Sequence, residues 1–287
     1  MPEPQGMLLF FGIVAISILI EIVLRRRSGA GYDFSAMGAS LFIMVGQQIL
    51  NPLLTYALTG ALLFAAYAVS PFQMELGNWQ HWAIAFFLVE FTYYWQHRWG
   101  HTIRWMWANH AVHHSPNEIA LPSAFRLGWT SLIAGTWLLL IPLSFLGVHP
   151  VMIVTLMSLN LRFQFFLHTE LIGRLGPLEW IFNTPSNHRV HHSSRPEYLD
   201  KNFGGVLMIF DHLFGTYAAE VPSVDMRYGL TEPIHSKNPF VILFTEWGNL
   251  FRDVKQERTV KGVLTSAFGR PGAHQDTSTA LKQIPAE

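Results

Sequence analysis

The stretch MLLFFGIVAISILIEIVLRRR, residues 7–27, is predominantly apolar through Leu24 and closes on Arg25, Arg26 and Arg27. About 20 such residues, rising 1.5 Å each as a helix, cross the hydrocarbon core of a bilayer. No basic residue precedes the apolar run and no small-residue cleavage site follows it, so the stretch reads as a retained anchor rather than a signal peptide. Further apolar stretches lie within Ala36–Ser70 and at Trp79–Gln96, Trp129–Gly147 and Val151–Leu167. The first of these is interrupted by Asn51-Pro52 and reads equally as one tilted span or two half-helices.

The basic residues give these stretches an order. No Lys or Arg occurs in residues 1–24, 28–97 or 127–161, and Arg126 and Arg162 bracket a hairpin with GVHP at its turn. If five spans alternate, every basic residue falls on one side. The positive-inside rule makes that side the cytoplasm and puts the N-terminus outside. The expected fold is all-α: a multi-span integral membrane helical bundle with a cytoplasmic histidine-box cap. A soluble all-helical core would have no reason to segregate Lys and Arg in this way.

Composition agrees. The 287 residues are 50% hydrophobic and only 13% charged, against about 25% charged in soluble domains. Mean hydropathy is +0.25. A net charge of zero offers no basic field for nucleic acid. The absence of cysteine excludes disulfides, thiolate metal sites and a cysteine nucleophile, so any metal must be held by nitrogen and oxygen.

The histidines are clustered. HAVHH (110–114) and HRVHH (188–192) repeat one spelling, and HRWGH (97–101) stands just ahead of the first. With 14 histidines in the chain, a given three-histidine pattern arises by chance roughly 0.03 times. On a helix, positions three and four apart share a face. His97 and His101 therefore project together, and each repeated word offers three imidazoles to one point. Pro116 ends the first of these helices, and Ser186 or Asn187 caps the second. Eight such imidazoles exceed one ion's needs and suit two ions, without naming the metal. His168, in FFLHTE, is a ninth candidate at the end of the fifth stretch. His81 and His149 fall on the outer side and are excluded, and His212, His235 and His274 lack partners.

Glu90 lies inside the third stretch, in line with Tyr94, His97 and His101 on one helical stripe. An ionisable residue within a span is costly and usually functional. Glu90 is expected to accept the outer N–H of a liganding imidazole.

Three regions follow: 1–78, N-terminal spans; 79–220, the histidine-bearing catalytic domain; and 221–287, a polar C-terminal segment. In the last, PFVILFTEWGNLFRDV places Phe240, Phe244, Trp247, Phe251 and Val254 on one helical face, to lie on the membrane or cap the histidines. Residues 272–287 read as a loose tail.

HRWGH, HAVHH and HRVHH in a multi-span chain resemble the sterol desaturase and fatty acid hydroxylase superfamily of membrane di-iron enzymes. FTYYWQHR (91–98), LHTELIGRLGPLEWIFNTPSNHRVHH (167–192), DKNFGGVLMIFDHLFGTY (200–217) and FGRPG (268–272) look most like its alkylglycerol monooxygenase-like branch. The resemblance implies two irons on the cytoplasmic side, O2 as co-substrate, and hydroxylation or desaturation of a lipid C–H bond. Carried over by position, it implies His97, His101, His110, His113, His114, His168, His188, His191 and His192 as ligands. The chain departs from that branch at Thr102, where the branch has glutamate, and at Phe203, where it has tyrosine. There is no G-x-G-x-x-G loop, no cysteine for an iron–sulfur cluster and no HPGG of a fused cytochrome b5. Electrons are therefore expected from a separate donor: a cytochrome b5-like protein, a ferredoxin or a pterin. A histidine-based divalent metal transporter is the alternative of another class, disfavoured because transport sites usually lie near the mid-membrane.

Overall fold

The computed structural model describes residues 4–272, so His274 and most of the C-terminal tail lie outside the described residues. The first helix, α1, runs Pro4–Arg27. Asp33 caps α2 (Phe34–Asn51) by accepting the Ala36 N–H at 2.8 Å. A π-helical turn, Pro52–Tyr56, joins α2 to α3 (Ala57–Ala68). Helical dihedrals persist through the junction, with Asn51 at φ −66°, ψ −40° and Ala57 at φ −63°, ψ −48°. Pro52 cannot donate to the ladder and its ring crowds the preceding turn, and a wide π turn absorbs both effects. The Asn51-Pro52 interruption is thus a kink in one continuous helical path. Among the described residues, α1 and the 35-residue α2–α3 path are the helices long and apolar enough to cross a membrane.

The remaining expected spans take other forms. Asn78 caps α4 (Trp79–Thr102), and α5 (Arg104–His114) follows after a single extended residue, Ile103. Trp129–Gly147 is not one helix. It breaks into α6 (Ser131–Ala134), a 3-10 turn (Thr136–Leu140) and α7 (Ile141–Phe145). The break falls at Gly135, whose φ of +76° is left-handed and closes a helix rather than continuing it. The fifth stretch is α8 (Pro150–Phe165). Beyond it come α9 (Leu178–Ile181), α10 (Pro185–His191), α11 (Ile209–Phe214), α12 (Pro239–Gln256) and α13 (Val260–Phe268). Thr184, rather than Ser186 or Asn187, caps α10, its hydroxyl accepting the Asn187 N–H.

The bundle has two ends. At one, the Tyr67 and His149 rings meet at 4.8 Å, Met74 N–H donates to Gly147 O, and Glu75 N–H donates to His81 Nδ1. His81 precedes His97 by 16 residues of one helix, about 24 Å of rise. His81 and His149 therefore sit at the end away from the histidine words. Leu63, Ala85, Val89, Leu143, Met152 and Ile153 form the core joining α3, α4, α7 and α8. Outward, α1 and α2–α3 remain apolar, with Leu8, Leu19, Val45 and Leu53 exposed. So large an uncovered apolar surface fits a lipid surround.

Helix α12 uses two faces. It buries Ile242, Leu243, Trp247 and Leu250 against α2 and α5, while Phe240, Phe244 and Phe251 stay exposed. Trp247 also donates its indole N–H to Thr130 Oγ1 at 2.9 Å. The helix caps the histidine end and still presents an aromatic stripe outward.

Candidate metal centre

All nine candidate histidines converge, but not as their spacing suggests. Two groups form: His97, His101, His110, His114 and His191 in one, and His113, His168, His188 and His192 in the other. Within each, the ligand nitrogens lie within 4.8 Å of one another. Each repeated word is split. HAVHH gives its i, i+4 pair to the first group and its i+3 histidine to the second; HRVHH does the reverse. The expectation that each word points to one place is therefore corrected. Positions i+3 and i+4 lie on opposite flanks of one face, and α5 and α10 use both flanks. The groups touch, with the His114 and His192 rings stacked at 4.3 Å.

The donor chemistry fits cations. His97 Nδ1–H donates to Phe203 O, His191 Nδ1–H to Lys201 O, and His168 Nδ1–H to Gln164 O, all at 2.8–2.9 Å. Fixing the proton on Nδ1 leaves Nε2 as a bare lone pair. The Nε2 atoms of His97 and His191 are buried and without partners. Elsewhere nitrogens crowd: His168 Nε2 lies 3.0 Å from His188 Nε2 and 3.3 Å from His113 Nε2, and His114 Nε2 lies 3.1 Å from His101 Nε2. These match the ~3.0–3.4 Å edges of a polyhedron whose metal–nitrogen bonds are ~2.1 Å. Burial and neighbouring imidazoles hold His110, His113, His114, His188, His191 and His192 well below the usual histidine range. They are therefore neutral, the form that binds metal.

The loop after α10 supplies two of these carbonyls, Lys201 O and Phe203 O. Asp200 and Asn202 both adopt φ +57°, a conformation few non-glycine residues hold. Asn202 is secured by hydrogen bonds to Asn187 O and Ala218 O, and Asp211 accepts the Phe203 and Gly204 N–H groups. Phe203, at a departure from the branch pattern, packs its ring on His97, His101 and His191. Thr102, the other departure, turns its hydroxyl back to Arg98 O.

Glu90 does not touch a histidine. Its carboxylate accepts Asn160 Nδ2–H, Val206 N–H (2.8 Å) and Leu207 N–H (3.0 Å). It ties α4 to α8 and to the strap carrying Phe203 O, so it bears on His97 at one remove. Glu21, which sequence reasoning passed over, does the same for His168. It is buried on α1 and accepts Thr169 Oγ1–H at 2.7 Å and Leu121 N–H at 2.8 Å. One turn on, Arg25 pairs with Glu118 and Glu170 and donates to Ile119 O. An acid within an apolar run was the available signal, the same one that singled out Glu90. His212, which stacks on Trp180 and Tyr217, and His235 lie outside both groups.

A cavity of about 520 Å³ opens onto His97 and His110 of one group and His113 and His168 of the other. Phe125, Leu161, Phe165 and Met106 contribute to its walls. Its volume suits a small-molecule or single-chain lipid ligand.

Two all-histidine groups thus lie at one end of an apolar helical bundle and open onto one cavity, an arrangement suited to a paired metal centre. Residues 82–216 match the fatty acid hydroxylase family, and this segment is a domain of that family, on the alkylglycerol monooxygenase-like branch. The chain is 44% identical to human alkylglycerol monooxygenase over 163 residues, 57% of this chain and 36% of that protein. It is 43% identical to the Xenopus tropicalis alkylglycerol monooxygenase over 161 residues, 56% and 35% of the two chains. It is 28% identical to the ornithine lipid hydroxylase OlsE of Rhizobium tropici over 226 residues, 73% and 67%. The matches thus span little more than a third of those two monooxygenases. No solved structure matches the chain.

Proposed function

We propose that this chain is a membrane-bound, O2-dependent lipid hydroxylase that holds two irons per chain, one in each histidine group. The observation that carries the reading is that both groups open onto one cavity, so a substrate there meets both. Iron, when bound, supplies the redox chemistry that activates O2 for insertion into a C–H bond.

The chain's own residues do the rest. His97, His101, His110, His114 and His191 hold one ion, and His113, His168, His188 and His192 the other. Phe203 O, Lys201 O and Gln164 O keep three of the rings in the tautomer that binds. Glu90 is a positioning residue: it fixes the strap that presents Phe203 O. Phe125, Leu161 and Phe165 seat the lipid chain and exclude water. Electrons come from a separate donor, a cytochrome b5-like protein, a ferredoxin or a pterin. Residues 1–78 anchor the chain, residues 79–220 carry the chemistry, and residues 221–287 close the histidine end. The protein is an integral membrane protein with its histidines and C-terminus on the cytoplasmic side and its N-terminus outside, an orientation that the distribution of Lys and Arg supports.

The test is lipid mass spectrometry of cells with and without the gene. The expected product is a lipid that has gained one oxygen atom. A lipid that has lost two hydrogens instead, or an unchanged lipid profile alongside metal uptake, contradicts hydroxylation.

A further inference from the structure

The cavity that reaches the histidines has one formally charged side chain in its wall, Arg162 of α8, and no carboxylate. Arg162 makes no ion pair among the described residues. Its guanidinium lies over the Phe10 ring of α1, 4.9 Å from the centroid. A cation over an aromatic face at an accessible site is only weakly held, and the stacking engages none of its N–H donors. Phe10 and Phe11 line the same cavity, so Arg162 stands where α1 and α8 meet at its rim.

Charge inside the cavity points the same way. Every group in both metal sets is imidazole, and His110 and His113 face the cavity. Bound cations would therefore bring positive charge that no ligand carboxylate offsets. Asp200, 3.7 Å from His101 Nδ1, is not in the cavity wall. A cavity with an apolar wall, a free guanidinium at its rim and no acid favours an amphiphile whose head is an anion. Guanidinium N–H groups are arranged to meet phosphate or carboxylate oxygens in pairs.

We propose that Arg162 selects a lipid with an anionic head group, phosphate or carboxylate, seating the head at the α1–α8 rim while the chain lies in the cavity toward the histidines. As an account of the substrate, this rests on the hydroxylase reading; as a binding site it stands alone.

The test uses full-length protein in neutral-lipid nanodiscs and two photoreactive probes, dodecyl phosphate and dodecanol, each with a diazirine in the chain. Labelled peptides are mapped by mass spectrometry, which needs no turnover and is read apart from hydroxylation. Dodecyl phosphate is expected to label peptides containing Met106, Phe125 or Phe165 about tenfold more than dodecanol, the size of one charge-assisted contact. Arg162→Gln should abolish that preference and leave dodecanol labelling unchanged, which also reports that the variant folds. Arg162→Lys, keeping the charge but not the paired donors, should retain part of it. Equal labelling by both probes, a preference that survives Arg162→Gln, or labelling confined to the outer helix faces overturns the proposal.

Discussion

His113 and His114 are neighbours in sequence but members of different groups, and the groups differ in size. His114→Ala leaves four imidazoles in the first group, whereas His113→Ala leaves three in the second. Iron per chain is therefore expected to fall to about one in His113→Ala and to stay nearer two in His114→Ala, since four nitrogens still close a shell. Elemental analysis of both variants checks this; equal losses contradict the split. Glu90→Gln makes a different kind of change. Glutamine can accept only through its carbonyl oxygen, and its NH2 then faces the Asn160 donor or the Val206 and Leu207 N–H groups. The expected cost is ~1–3 kcal/mol of stability, with activity down about 10–100-fold as Phe203 O loosens from His97. Thermal unfolding and turnover together measure it, and wild-type values for both leave Glu90 without a role. The nine clustered histidines were legible in the sequence, eight because histidine words recur too densely for chance and His168 because it ends the fifth apolar stretch. Their division was not, because periodicity assigns a face and only packing divides its two flanks. Glu90's importance was legible, but its partners lie 70 to 117 residues away in the chain, beyond the reach of helical spacing.

At the scale of elements, glycines and a tryptophan fix the fit. A Cβ at Gly205 would stand 2.1 Å from Asn160 Nδ2, the group that donates to Glu90. Gly205→Ala must displace that amide, at an expected ~1–3 kcal/mol, with loss of activity in the direction of Glu90→Gln. Trp247→Ala empties the contact of α12 with α5 and removes the indole donor to Thr130 Oγ1, whose hydroxyl keeps its bond to Asn109 Oδ1. A loss of ~3–5 kcal/mol is expected, read as a lowered unfolding midpoint and faster hydrogen exchange in α12. The expected helix at Trp129–Gly147 failed for a local reason: its apolar run is long enough, but Gly135 takes a left-handed conformation that hydropathy does not register. Spacing puts the α12 aromatics on one face but does not say whether that face meets protein or membrane. Aliphatic Ile242, Leu243 and Leu250 pack inward, with Trp247 alone of the aromatics.

For the whole molecule, the clustered imidazoles make acid stability a property of the site. His110, His113, His114, His188, His191 and His192 are held well below the usual range by burial and by one another. Unfolded, each would titrate near 6.5. Below that pH the unfolded chain binds protons that the folded chain refuses, so stability is complete above about 6.5 and is lost as pH falls toward the folded values. Metal-stripped protein should therefore show a level unfolding midpoint above pH ~6.5 and a steep decline beneath it; a midpoint independent of pH from 7 to 5 contradicts the buried neutral cluster. The apolar helices were evident from composition alone, and the placement of His81 and His149 at the far end follows the alternation that Lys and Arg suggested. The central claim, two irons in two all-histidine groups, is tested most directly by iron and zinc per chain in protein purified after expression with ample iron. Close to two irons and little zinc are expected; stoichiometric zinc without iron, or a single iron unaffected by His113→Ala, would contradict two iron sites.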